Sequence, residues 1–402
     1  MVATVSLDAI LHKHRIRPAI QALQTELVEW RRTFHKKPEL AFRENLTAEF
    51  IAQKLTELGI DHQTGIAKTG IVAVIKGKDE GKVLGIRADM DALPIQEENE
   101  VDYCSQHDGV MHACGHDGHV AIALGTAKYL SENRDSFNGT VKIIFQPAEE
   151  SPGGAKPMIE EGVLKNPDVD AIIGLHIWNN LPLGTVGVRP GALMAAAETF
   201  HVRVQGKGGH GALPHQTKDA IVIGSQIVTA FQTVVARSVN PIDSAVVTVG
   251  EFHAGDAHNV IADFAELSGT VRYFNPELRD LRDRLEAIIN GVCHSYGATY
   301  ELDYIRMYPP TINDPAIAAL VKTVAEESIE TPLGVAPECQ TMGSEDMSYF
   351  LQEVPGCYFF LGSANPQLDL AYPHHHPRFN FDESALGMGV EMFVRCVEKF
   401  LA

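Results

Sequence analysis

Positive charge is scarce in this 402-residue chain: 33 Lys and Arg stand against 52 Asp and Glu, a formal net charge of −19. Such a surface repels nucleic acid and anionic membrane, and a free anionic ligand needs a local positive site to overcome it. Long apolar runs are missing as well, with no stretch approaching the ~20 apolar residues of a membrane helix. The opening MVATVSLDAILHKHRIRPAI has Asp8 and then a basic patch where a signal peptide places its apolar centre, so no secretion signal is expected. Cysteines number six, unclustered and without a C-x-x-C pair. That argues against a thiol redox centre and for reduced thiols in the cytoplasm. Internal repeats and low-complexity segments are absent too.

What is present fits two domains of roughly 100 to 200 residues each, with apolar (45%) and charged (21%) fractions ordinary for a globular protein. In the first half, Gly70 to Lys76, Val83 to Arg87, Val141 to Phe145 and Ala171 to Leu175 are near-continuous apolar runs. Such runs suit strands covered on both faces of an α/β sheet. Helical patterns cover Thr25 to Lys36, Leu46 to Leu58 and His119 to Leu130. Polar residues follow the strands (Asp89 and Asp91, Glu149 and Glu150, His176), where open α/β sheets collect ligands.

Near residue 190 the texture changes. The pieces Thr199 to Val204, Asp219 to Val235, Ala245 to Phe252, Glu266 to Phe274, Pro276 to Tyr296 and Thr299 to Met307 run β-α-β-β-α-β, the order of a ferredoxin-like sandwich. A helix (Pro315 to Ile329), an apolar run (Cys357 to Leu361) and a closing helix from Glu383 then resume the first texture. We read 193–307 as a domain inserted into one built from 1–192 and 308–402.

Four segments carry chemistry. In His112-Ala-Cys-Gly-His-Asp-Gly-His119, Cys114 and His116 stand at i and i+2, so an extended segment points both at one metal. Glycines 115 and 118 let the backbone come close and turn into a helix; chance in a His-rich chain is the alternative. Gln146-Pro-Ala-Glu-Glu150 ends a buried strand. Adjacent acids on an extended segment face opposite ways, one towards a metal and one free to take a proton. His176 ends an apolar run, as a ligand or as a hydrogen-bonded core histidine. Of His374, His375 and His376 in a Pro-bracketed loop, one or two at most face one cavity.

The ordered blocks IRADMDALPI, HACGHDGH, QPAEE, GLHIW, GKGGHGALPH, HNVIADFAELSGTVRYF, GSEDMSYF and HHPRFNFDE resemble the M20 metallopeptidase family, specifically its amidohydrolase branch, from about Trp30 onward. The resemblance implies an α/β fold: a mixed-sheet di-metal catalytic domain with an inserted ferredoxin-like α+β lid and dimerisation domain. It implies that Cys114 bridges two ions, with His116, Glu150, His176 and His375 as further ligands, Pro377 marking His375 among its neighbours. Glu149 is implied as general base, Asp89 and Asp91 as carboxylates that orient ligands, and His210 as a lid histidine that polarises the scissile carbonyl across a homodimer. Asn259 and Arg272 are implied near the substrate carboxylate, although a strand-borne Arg272 suits a structural ion pair equally.

The chemistry expected is hydrolysis of N-acyl amino acids with two divalent ions, Zn²⁺ or Mn²⁺ first and Co²⁺ or Ni²⁺ also suited to the ligands. Two rivals stand beside it: a dipeptidase or aminopeptidase of the same family, and a metal-binding homologue without catalysis. Retention of a general base at Glu149 argues against the latter.

Overall fold

The computed structural model describes residues 16–328 and 334–402. Most of the opening segment and Ile329, at the end of the expected Pro315 helix, lie outside them. The described chain forms two compact units, one up to Leu193 with 312–340 and 346–402, the other Met194–Thr311 with Thr341–Glu345.

The first unit is built on an eight-stranded mixed sheet. Its continuous apolar runs take the middle: Val83–Asp89 and Gly356–Ala364 are buried at every residue. The more polar Asp61–Ile66 pairs antiparallel with Gly70–Lys76 at one edge. Val83–Asp89 runs parallel to Thr140–Gln146, with Asp89 opposite Gln146. This register brings Asp89 and the turn after Gln146 to the same carboxyl end of the sheet.

Ala171–Pro182 lies parallel to Val83–Asp89 and to Gly356–Ala364. It reaches well beyond the expected Leu175, because Gly356–Ala364 keeps pairing with it as far as Ala364↔Pro182. His176 therefore sits inside a strand rather than after one. Helices Gln24–Lys36, His116–Glu132 and Ser384–Phe400 lay Leu27, Phe34, Ile122, Leu124, Val390 and Phe393 into one core with Ile86, Ile143, Ile173 and Phe359 of the sheet. Each such side chain contributes roughly 1.5–3 kcal/mol on burial.

The second unit carries an antiparallel sheet in the order Ala245–Ala254, Phe264–Tyr273, Ala196–Gln205, Thr299–Tyr308. Numbered along the chain this is 2-3-1-4, the ferredoxin-like order, with helices Ala220–Thr233 and Leu281–Tyr296 between strands. Phe200, Val202 and Val204 alternate inward to meet Ile223, Ile227 and Phe231 of the first helix and Leu285 and Ile289 of the second. Asp219 caps the first helix, its carboxylate accepting from the amides of Ile221 and Val222.

That helix also corrects an expectation. Its π-helical extension through Ser238 makes Ala220–Ser238 long and apolar enough, by length and composition alone, to cross a membrane. Ser225, Gln226, Thr229 and Gln232 interrupt it, and its buried stripe packs on the sheet of its own unit.

Candidate metal centre and active site

Cys114 and His116 converge, but not along an extended segment. Gly115 adopts φ +94, a left-handed turn that glycine enters freely, and His116 is already the first residue of helix His116–Glu132. The helix begins before the expected His119 because this turn starts it. At Gly118 a Cβ would stand 2.5 Å from Ile177 Cδ1 and 2.7 Å from Phe381 Cζ, so a side chain there would have to displace both neighbours. His116 Nδ1 donates to the Asp91 carbonyl (3.0 Å), leaving Nε2 buried without a hydrogen-bond partner.

Glu149 and Glu150 also depart from expectation. They lie in a turn, entered through a left-handed Ala148 (φ +56), rather than in extended chain with opposed side chains. One carboxylate orients both: Asp91 accepts from the Glu149 amide at 3.0 Å and the Glu150 amide at 3.1 Å. Asp346 holds the far end of the same segment through the amides of Gly154 and Ala155. Glu150 Oε1 faces His375 Nε2 at 3.0 Å. His375 is itself left-handed (φ +65), its amide donating to the Ala113 carbonyl.

Three histidines meet at the backbone of Ile177. Its carbonyl accepts from His176 Nδ1 (2.6 Å) and His374 Nε2 (2.9 Å), and its amide donates to His119 Nε2 (2.8 Å). These bonds set the tautomers. His176 Nε2 is left facing Cys114 Sγ at 3.4 Å. His119 must carry its proton on Nδ1, which donates to Asp89 Oδ1 at 2.5 Å. Asp89 Oδ2 accepts from Arg87, a buried guanidinium that also reaches Gln146 and Asp346. His119 was missed from sequence, although its i, i+3 spacing from His116 on one helix face was a usable signal.

The donor atoms gather into two groups that share Cys114: Cys114 with His116 and His176, and Cys114 with Glu150 and His375, each within 4.8 Å. Asp89, His116 and His119 form another such group, but both ring nitrogens of His119 are already engaged. The surroundings suit cations. Burial pushes the Cys114 thiol well above its usual range, and Glu150, Glu149 and Asp89 push it further. Burial disfavours charge on His116, yet Asp89 and Asp91 raise its pKa to about 10.

Behind His116 lies a second layer of buried charge. Asp117 Oδ2 accepts from Arg31 Nε and His35 Nδ1, both at 2.8 Å, while His35 Nε2 donates to Glu97 at 3.1 Å. Arg31 completes its fork on Asn380 and Glu383. Both faces of the His35 ring nitrogens thus meet carboxylates. Burial lowers its pKa, but the bonds to Asp117 and Glu97 more than offset this and leave it raised.

On the second unit, His210 is exposed and accepts at Nδ1 from the Ala212 amide (3.1 Å), which puts its proton on Nε2 as an outward donor. Its strand Gly209–His210 pairs with Val260–Ile261, and the Asn259 carbonyl takes the Gly211 amide, so Asn259 lies beside it. Arg272 is half-buried, its pKa lowered by that burial, and its side chain donates to Ser344 at 3.3 Å. Among the described residues no carboxylate pairs with Arg272, whose side-chain partner is Ser344.

Comparison with known proteins adds to this geometry. The family Peptidase family M20/M25/M40 matches residues 85–399. An N-acyl-L-amino acid amidohydrolase of Geobacillus stearothermophilus is 46% identical over 303 residues, covering 75% of this chain and 81% of its own. An N-acetyl-L-cysteine deacetylase of Bacillus subtilis is 40% identical, covering 95% and 90%. Among solved structures, a Bacillus subtilis protein described as a dinuclear metal binding peptidase of the M20 family superimposes with a TM-score of 0.82 at 36% identity, over 95% of this chain and 99% of that one. The chain belongs to peptidase family M20/M25/M40, and it is a hydrolase acting on amides.

Proposed function

We propose that the protein hydrolyses the amide bond of N-acyl amino acids, using two divalent metal ions held by Cys114, His116, Glu150, His176 and His375. The observation that carries this is the pair of donor groups sharing Cys114, with His116 Nε2 buried and lacking a hydrogen-bond partner and Glu150 Oε1 turned to His375 Nε2 at 3.0 Å. A buried ring nitrogen without a partner is costly unless something fills the place beside it. A thiolate among imidazoles and carboxylates favours borderline ions, Zn²⁺ first, with Mn²⁺, Co²⁺ and Ni²⁺ also accepted and Mg²⁺ disfavoured. Such ions, when bound, supply Lewis acidity and lower the pKa of water towards neutrality.

The chain's own residues do the rest. Glu149, aligned by Asp91, accepts the proton of the attacking water and returns it to the departing amine. His210 donates from Nε2 to the carbonyl oxygen as charge develops there. Arg272 and Asn259 hold the substrate carboxylate, a half-buried guanidinium without an internal carboxylate being suited to that anion. Asp89, through His119, and Asp91 keep the ligands oriented.

The metal-replete protein is tested on N-acyl amino acids with acetyl, benzoyl and longer acyl groups, beside simple dipeptides. Turnover of the acylated set ahead of the dipeptides is expected; inert acyl amino acids with active dipeptides would transfer the reading to the peptidase rival, and an inert panel would remove it. Dialysis against a chelator should abolish turnover, and re-addition of Zn²⁺ or Mn²⁺ should restore it with about two equivalents bound per chain by elemental analysis. One equivalent at full activity would contradict the two-ion site.

We also propose a cytoplasmic homodimer formed through the second unit. Strand Ala245–Ala254 is an edge strand, and Leu213, Ile221, Val222, Phe252 and Val260 of the same unit expose apolar side chains. Unpaired edges beside apolar patches invite pairing with a second copy. Light scattering should give twice the 43.9 kDa chain mass. The double variant Ile221→Asp, Val222→Asp should be monomeric and slow, since His210 would serve a partner's substrate. A fully active monomer would refute both statements.

A further inference from the structure

The segment that carries Glu149 is fastened by a residue outside the blocks that carry the family resemblance and outside the ligand spacing. Glu44 immediately precedes helix Asn45–Glu57, where a lone acid reads as a solvated helix start, yet it is fully buried. Its Oε1 accepts from the amides of Phe42 (2.9 Å) and Ala148 (3.0 Å), and its Oε2 accepts from the Thr69 hydroxyl (2.6 Å). Phe42 (φ +59) and Ala148 (φ +56) are both left-handed, a conformation that residues with a side chain rarely adopt. One carboxylate oxygen thus holds two such residues that lie 106 positions apart in sequence.

Asp91 grips the amides of Glu149 and Glu150 but not the turn by which the chain arrives at them. Rotation at Ala148 would move the Glu149 amide and side chain together, so that grip holds the base in place only while the turn itself is fixed. We propose that Glu44 is a positioning residue for Glu149, locking Ala148 in its left-handed state so that the carboxylate faces the attacking water. This rests on the reading of Glu149 as the base. A solely structural Glu44 would affect stability and leave kcat alone; a positioning role loads on kcat and leaves KM and metal content unchanged.

Two substitutions separate reach from charge. Glu44→Gln keeps the length: its amide oxygen still accepts from both backbone amides, and its NH₂ group donates to Thr69, whose hydroxyl reverses role. Glu44→Asp keeps the charge and loses one methylene, so it cannot span Thr69 and Ala148 together. We expect Glu44→Asp to lower kcat by about 10²-fold, the order of loss a misplacement near 1 Å produces. Glu44→Gln should stay near wild type, and both should retain KM and bound metal.

Amide hydrogen exchange in the peptide spanning Gln146 to Ser151 should rise in Glu44→Asp and not in Glu44→Gln. Wild-type kcat in Glu44→Asp, equal impairment of the two variants, or a loss that follows metal content would overturn the proposal. Glu149→Gln serves as the control. Were it fully active, the base assignment would fall, while the exchange data would still decide whether Glu44 fixes the turn.

Discussion

Replacing Glu149 with Gln should lower kcat by about 10²–10⁴-fold, the usual contribution of a positioned general acid–base group, with metal content unaltered. The substitution preserves shape, and the amide that Asp91 holds is main-chain, so the turn should survive. Glu150, one residue on, predicts a different failure. Glu150→Gln should lose metal and activity together, because its carboxylate belongs to the donor group of Cys114 and His375. Elemental analysis beside steady-state kinetics distinguishes the two. If Glu149→Gln retained its turnover, the proton would be moving through another group.

The second large effect concerns stability. Asp117→Ala removes the acceptor shared by Arg31 and His35, both fully buried, and leaves the guanidinium against the imidazole, with Glu383 and Asn380 still on Arg31 and Glu97 on His35. Breaking a buried pair this way costs about 3–5 kcal/mol, read as a fall in the urea midpoint of the first unit. Asp117→Asn, which keeps an acceptor oxygen, should cost less.

The pH dependence of wild type follows from the same groups. His35 has its folded pKa raised above about 6.5. Its contribution is fully present below that value and is lost as pH rises through the folded value. Asp117 is held well below the usual carboxylate range: burial raises it, but Arg31 and then His35 outweigh that. Its contribution is present above about 4 and is lost as pH falls through the depressed value. His35→Gln should flatten the alkaline side of the profile; an unchanged alkaline limb would show that His35 folds neutral.

Much of this was legible in residue order. Apolar runs such as Val83 to Arg87 announce buried strands because both faces must be covered, and the β-α-β-β-α-β pattern of the second unit announces its sheet order. Cys114 and His116 stand out by residue type alone. How they converge does not, because the left-handed Gly115 is a backbone state that a pattern of side chains only permits. Glu149 and Glu150 stand out as a pair, yet the turn that presents them depends on Ala148, an unremarkable residue held left-handed by an acid from a distant segment. Glu44, Asp346 and the Arg31–Asp117–His35 group were invisible for a common reason. Each is a charged residue whose partners come from remote segments, and a lone charge in sequence looks like solvated surface.

The meeting of His119, His176 and His374 at Ile177 bears on how tolerant the centre is to mutation. The shared donor and acceptor are main-chain atoms, so almost any side chain at position 177 would preserve them, and only proline would delete the amide. The constraint on the side chain at that position is the volume wedged against Gly118, not hydrogen-bonding chemistry. Orientation entrusted to the backbone is thereby shielded from most single-nucleotide change, whereas the ligands it orients have no such protection.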